Sequence, residues 1–469
     1  MPREPRAVRK RLSLMLLLCA AAAGCAVQPH YVRPAVELPA AWRESAPSAV
    51  VDGKWWEIYG DSGLDRLVEE ALAHNADLAV AVAKVDEARG LLGETESALY
   101  PAVDASAAHS RTRFSEATGT LPPGTPRELN DTSAALAVSY EVDLWGKLHA
   151  AARAARADLL ATEAARDTVR IALAAGVVKG YFALRALDEQ VGAVRETLAL
   201  RESALALQKK RFEHGLISEF DYRQLEAEAA TTRAQLPPLE RDRELQEAAL
   251  AVLLGRSPKD IMDGAVPRAS GAERSLAPTA VPSGLPSELL LRRPDLVETE
   301  QRLVAANARV AVARSEYFPS IILTGFLGTE AASLRDLFTG PAGIAGLAVA
   351  AAQPVFQGGR LDAQVDVARA REREALAAYR GAIEIAFSEV RSALAAQDRA
   401  RESVEAEHTR AQALASALEL ARRRYANGLG SQLDVIDAER NLLDAQVARY
   451  EAVRAQRAAV ADLFRALGG

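Results

Sequence analysis

Ser431-Gln432-Leu433-Asp434 places a hydroxyl and a carboxylate three residues apart. At a helix start, that spacing lets each side chain satisfy the other's backbone N–H. Asp437 adds a second carboxylate three residues on, on the same helical face. Ser218-Glu219-Phe220-Asp221 repeats the pattern 213 residues earlier, with Gln224 in the place of Asp437. Capping therefore accounts for Asp221 and Asp434 but not for Asp437. A different chemistry is written at the other end of the chain. Basic Arg9-Lys10-Arg11, an apolar run from Leu12 to Ala23 and then Ala22-Ala23-Gly24-Cys25 form a signal segment ending in a lipobox. The Cys25 thiol is there the acceptor of a diacylglyceryl group, and Ala26 beside it is compatible with the outer membrane. The chain has two cysteines, Cys19 and Cys25, so loss of the first with the signal and acylation of the second leaves no disulfide. None of the six histidines lies in an HExxH or similar ligand spacing, and neither a phosphate loop nor a GxSxG elbow occurs. No enzyme site, cofactor or metal site is indicated.

The elements that must position these residues are long. Hydrophobic residues make up 49% of the 469, yet aromatics only 5%, so the apolar content is largely Ala, Leu and Val. That mixture favours closely approaching helices. A net charge of −6 argues against nucleic acid as a partner. No mature segment offers the ~20 apolar residues of a membrane-spanning helix, so any crossing is made by strands.

The chain is an internal duplication. The stretch from Asp77-Leu78-Ala79 to Tyr100-Pro101 matches Asp295-Leu296-Val297 to Phe318-Pro319 at an offset of 218. Arg211-Phe212-Glu213-His214-Gly215-Leu216 matches Arg424-Tyr425-Ala426-Asn427-Gly428-Leu429 at an offset of 213. The organisation expected is a signal peptide (1–24), an extended lipid-anchored segment (25–60), a first repeat (61–263), a Pro/Gly/Ser-rich linker (264–284) and a second repeat (285–469). Helices are expected over Leu64–Leu99, Lys147–Glu213 and Ser218–Leu254, and again over Leu285–Tyr317, Gly359–Tyr425 and Ser431–Leu467. The Lys147–Glu213 helix would be ~100 Å long. Pro237-Pro238 is expected to kink or interrupt its helix. From Ala134 to Leu144 apolar residues alternate with small or acidic ones, the pattern of a transmembrane barrel strand with Leu136, Val138 and Tyr140 towards lipid. Asp104–Arg113, Ile321–Leu327 and Gly343–Gln353 are the other strands. Four strands cannot close a barrel, and open edges are forbidden in lipid, so the pattern demands oligomers; three copies give 12 strands.

Further runs carry a resemblance. Gly284-Leu285-Pro286-Ser287-Glu288-Leu289-Leu290, Arg292-Arg293-Pro294-Asp295, Tyr317-Phe318-Pro319-Ser320, Tyr140 to Gly146, Pro237-Pro238-Leu239-Glu240, Leu253 to Arg256, and Cys25 to Pro29 with Tyr31 and Pro34 together resemble the TolC-like outer-membrane factors, in their lipoprotein (NodT-type) branch. The resemblance spans essentially the whole chain. It implies a mainly α fold with a transmembrane β-barrel, as a homotrimer with a 12-strand barrel and a 12-helix periplasmic tunnel. It implies an outer-membrane exit channel of a tripartite efflux pump, docked to a periplasmic adaptor and an inner-membrane transporter. By the same resemblance Asp434 and Asp437 line a periplasmic gate, with Tyr425 and Asp221 in its locking links. Trimerisation would stack their carboxylates into rings, raise their pKa values and bind cations. Gly215, Leu216, Gly428 and Leu429 would be the adaptor-docking tips. The chain departs from the pattern at Gly430, where a basic partner is usual, and after Gly328, where a tryptophan is usual before the fourth strand. A coiled-coil lipoprotein without a channel would explain the helices and Cys25, but not the strands.

Overall fold

The computed structural model describes residues 31–37, 53–115, 117, 124, 126–263, 266–268 and 289–469. The signal segment, Cys25, most of the linker and residues 284–288 of the signature lie outside the described residues. A 3-10 turn, Trp55–Tyr59, leads into α1 (Ser62–His74) and α2 (Ala76–Ser97). Strands β1 (Ala102–Arg113) and β2 (Glu128–Glu141) follow, then α3 (Lys147–Glu213), α4 (Glu219–Leu253) and α5 (Pro258–Asp263). The second half gives α6 (Leu289–Arg292), α7 (Pro294–Ser315), β3 (Ser320–Ala331), β4 (Gly343–Ala352), α8 (Arg360–Ala426) and α9 (Gln432–Leu467). No described helix is long and apolar enough to cross a membrane.

Two compact units form, each drawing on both halves. Of the described residues, one holds 31–35, 85–115, 117, 124, 126–162 and 299–379, the other 36–37, 53–84, 163–263, 266–268, 289–298 and 380–469. The first holds an antiparallel sheet in the order β1-β2-β3-β4. Beside it, α3 buries Ala150, Ala154, Ala157 and Ala161. Spacings of four, three and four residues follow the coiled-coil seam, and alanine there lets helices approach closely. At the foot of the sheet the Trp145 indole donates to the Pro319 carbonyl (2.8 Å) and stacks on Phe318.

The second unit has an aromatic core. Trp55 stacks on Phe464 with ring centroids 5.1 Å apart, and Tyr59 packs on Phe182. Leu64, Val68, Val177, Tyr181 and Leu250 are fully buried around them. The Asp61 side chain caps α1 through Gly63 and Leu64 N–H and accepts from the Tyr181 hydroxyl at 2.6 Å. Buried Arg293 donates to Asp295, Glu389 and the Ala466 carbonyl, and Arg292 to the Gly469 carbonyl. The two arginines thus satisfy carbonyls at the C-terminus of α9, where cations are favoured.

The expected Leu64–Leu99 helix is two helices. Asn75 separates them: its Oδ1 accepts the Leu78 N–H and its Nδ2 donates to the Leu253 carbonyl, both at 3.0 Å. Gly255 also crowds this corner, with room for no Cβ beside the His74 carbonyl. The Leu285–Tyr317 helix likewise breaks at Arg293, because a residue before proline is forced out of the helical region. Pro237-Pro238 does not interrupt α4. The carbonyls freed by the two prolines belong to Arg233 and Ala234, which are exposed and so open to water. Strand β2 starts six residues before the expected Ala134, since Glu128–Ser133 pair with the largely polar Ala108–Arg113.

Candidate functional site

Two regions carry the sequence-derived candidates: the sheet, and the hairpin turns α3–α4 and α8–α9. In an antiparallel sheet, residues directly opposite share a face. Leu136 stands opposite Ala105 and Leu327, Val138 opposite Val103 and Gly325, and Tyr140 opposite Leu323. Leu327 and Leu323 in turn oppose Ala345 and Val349. These residues line one apolar face, and Leu136, Leu327, Leu347 and Val349 are exposed on it. The other face holds Asp104, Ser106, Ser133, Ser139, Glu141, Thr324 and Glu330. The expected division of β2 continues into β3 and into β1 as far as Ala107; β4 carries its large side chains, Leu347 and Val349, on the same face but has no polar residue on the other. Ile322, Phe326 and Ile344 are the large apolar residues on that face; Phe326 stands opposite Ala137 and Gly346. It lies over Gly346, where a Cβ would sit 2.4 Å from its ring. Strands β1 and β4 each pair on one side only.

The two turns are built alike. The Leu216 N–H donates to the Arg211 carbonyl and the Gly215 N–H to that of Phe212, each at 2.8 Å. The Leu429 N–H donates to Arg424 at 2.8 Å and the Gly428 N–H to Tyr425 at 3.0 Å. Gly215 and Gly428 both have φ of 69°, so each helix ends in a Schellman motif that needs glycine. The leucine backbones complete the cap while their side chains stay 72% and 71% exposed. Phe220 and Leu433 are exposed as well. They are equivalents at the 213 offset, so the repeat itself could have flagged them beside Leu216 and Leu429.

Of the four gate candidates, two are caps. The Asp221 N–H donates to Ser218 Oγ, which donates to the Asp221 carboxylate at 2.7 Å. Ser431 and Asp434 form a full capping box. The Ser431 backbone and side-chain hydrogen bonds hold the Asp434 carboxyl below its ordinary range in the protomer. Asp437 is half-exposed, 3.6 Å from Arg440. Tyr425 takes a 3.4 Å hydrogen bond from Gln208, and no hydrogen bond joins it to Asp221. At Gly430 a Cβ would fall 3.3 Å from that of Arg424 and 3.4 Å from the Asp434 carboxylate.

A charge chain that sequence reasoning missed links the hairpins above the turns. Arg422 pairs with Glu439 at 2.8 Å, Glu439 with Arg201 at 3.9 Å, Arg201 with Glu228 at 3.3 Å, and Glu228 with Arg440, which reaches Asp437. Arg201 is buried and also donates to Thr232. Its helical neighbours in sequence gave no sign of these partners, which come from α4 and α9.

The comparisons with known proteins agree with this geometry. The chain is 34% identical over 460 residues to the outer membrane protein OprJ of Pseudomonas aeruginosa, covering 97% of this chain and 95% of that one. It is 32% identical over 455 residues to a probable outer membrane lipoprotein, SilC, of Salmonella typhimurium, covering 95% and 96%. The crystal structure of the Campylobacter jejuni CmeC outer membrane channel superposes with a TM-score of 0.87 at 27% identity, covering 95% of each chain. Residues 67–256 and 285–469 match the family described as outer membrane efflux protein, and the chain belongs to that family.

Proposed function

We propose that this protein is the outer-membrane exit channel of a tripartite efflux system, a passive duct fed by an inner-membrane transporter through a periplasmic adaptor. The observation that carries the reading is the sheet register. One face carries exposed Leu136, Leu327, Leu347 and Val349, the other carries the serines, Thr324 and acids of β1 to β3, and β1 and β4 each pair on one side only. Such a sheet is stable in lipid only if copies join edge to edge into a closed barrel. Three copies give 12 strands with the Ser/Asp/Glu face around a watery lumen. Cys25 carries the lipid that anchors each copy. Leu216, Leu429, Phe220 and Leu433 present the apolar surface that the adaptor meets, and Asp434 and Asp437 ring the closed entrance. Purified protein reconstituted in planar bilayers tests the reading. Discrete conductance steps, with cysteines placed on β1 and β4 cross-linking chains into trimers, are expected. A protein that anchors to vesicles without conducting would be a coiled-coil scaffold instead.

A further inference from the structure

Helix α7 carries a charge where its packing seam calls for an apolar residue. Leu296, Glu300 and Leu303 follow one another at spacings of four and three, and all are buried. The Glu300 side chain is only 7% exposed. A carboxylate buried in a helix seam is strongly unfavourable unless a cation and hydrogen bonds compensate it. No residue of the helices provides that cation. Arg33 does, from the extended segment 31–37: its Nε donates to Glu300 Oε1 at 2.6 Å and its Nη2 to Oε2 at 2.7 Å. Among the described residues this is the one ion pair that Glu300 makes. Tyr31 adds a third hydrogen bond, from its hydroxyl to Glu300 Oε1 at 3.1 Å. Burial and the Glu300 carboxylate push the Tyr31 phenol up, so it remains a donor. Tyr379 of α8 is 1% exposed, with a hydroxyl that has no hydrogen-bond partner among the described residues. Asn307 and Glu372 join α7 to α8 nearby at 2.6 Å.

We propose that Glu300 and Tyr379 form a receptor for the chain's own N-terminal strap, and that the Tyr31-x-Arg33 clamp completes the packing of α7 against α8. Arginine suits this role, because its planar fork meets both carboxylate oxygens at once. With the strap absent, the buried Glu300 carboxylate would lie within electrostatic reach of the buried Tyr379 phenol without the Arg33 charge. The clamp has a second consequence, which rests on the lipidation of Cys25 proposed above. Cys25 precedes Tyr31 by six residues, so an acyl anchor there reaches at most ~21 Å from the clamp. Glu300 thereby sets the length of the membrane tether.

Spin labelling of Val32 tests the clamp in the full-length protein. Val32 is 79% exposed, so a label on Val32→Cys does not disturb the contacts on either side. With Cys19 and Cys25 replaced by serine, Val32→Cys is the sole label site, and the outcome does not depend on lipidation. The label should be immobilised in the otherwise native chain. Glu300→Gln and Arg33→Ala should each shorten its rotational correlation time roughly tenfold, as for a free segment moving on the nanosecond scale. Arg33→Ala changes only the strap, so it remains informative if Glu300→Gln misfolds. The exchange Arg33→Glu with Glu300→Arg should restore the slow spectrum. A label already mobile beside native residues, or one equally immobile in both single variants, would overturn the proposal. So would an exchange variant as mobile as the singles.

Discussion

Ser431 and Asp434 hold each other at the head of α9: the Ser431 N–H donates to Asp434 Oδ2 at 2.9 Å, and the Asp434 N–H donates to Ser431 Oγ at 3.2 Å. The first bond is stronger to the ionised carboxylate, and it holds the folded-state pKa below the ordinary value of 3.8. A group depressed in this way contributes stability that is present above its unfolded pKa and is lost as pH falls through the folded one. The first turn of α9 should therefore be firm at neutral pH and loosen only below about pH 4. Amide exchange of residues 432–436 against pH reads this directly, and Asp434→Asn should flatten the profile. Ser431→Ala should cost about 1 kcal/mol of local stability at neutral pH.

In the proposed trimer a second effect is expected at the same place. Asp437 has no cap to serve and is only 3.6 Å from Arg440. Two rings of three carboxylates would attract multivalent cations. Divalent or trivalent ions added from the periplasmic side should block single-channel current in the native protein. Asp434→Ala combined with Asp437→Ala should abolish the block; equal block in both proteins would leave these residues as ordinary helix-head acids.

Charged side chains at the hairpin turns should uncouple the channel from its adaptor. Leu216→Glu with Leu429→Glu keeps the backbone bonds of both Schellman motifs, since those use main-chain atoms. Trimers should persist on native gels while efflux in cells is lost. Efflux that survives the double change assigns docking to other residues.

The two faces of β2 should respond oppositely to charge. Leu136→Arg puts a cation on the apolar face and should cost about 2–4 kcal/mol in membrane stability if it lies near the midplane. Ser133→Arg and Ala135→Arg, on the other face, should fold and alter conductance. Urea titration of the reconstituted barrel separates the cases; similar losses on both faces would contradict the lumen assignment.

Cys25 should carry the acyl group. Mass spectrometry of the mature N-terminus is expected to find a diacylglyceryl cysteine there. Cys25→Ser should weaken attachment, by roughly 0.8 kcal/mol for each CH₂ no longer buried, while the barrel persists. An unmodified N-terminus excludes this anchor.

What the sequence determined by itself was local or periodic. The limits of α3, Lys147 and Glu213, were legible because Gly146 and Gly215 punctuate them. The two faces of β2 followed from alternation, which is a property of the pleat and needs no partner. The caps at Ser218 and Ser431 were readable because donor and acceptor lie three residues apart. The tertiary structure decided whatever depends on a distant partner. Asn75 ends a helix where the Leu253 carbonyl meets it. Strand β2 begins at Glu128 because β1 offers polar residues to pair with. Arg201 found its acids on two other helices, and Glu300 found its cation 267 residues away. A buried charge is tolerable only beside its counter-charge, and which residues become neighbours is settled by the packing of the helices, whose periodicity names the buried face but not what will lie against it.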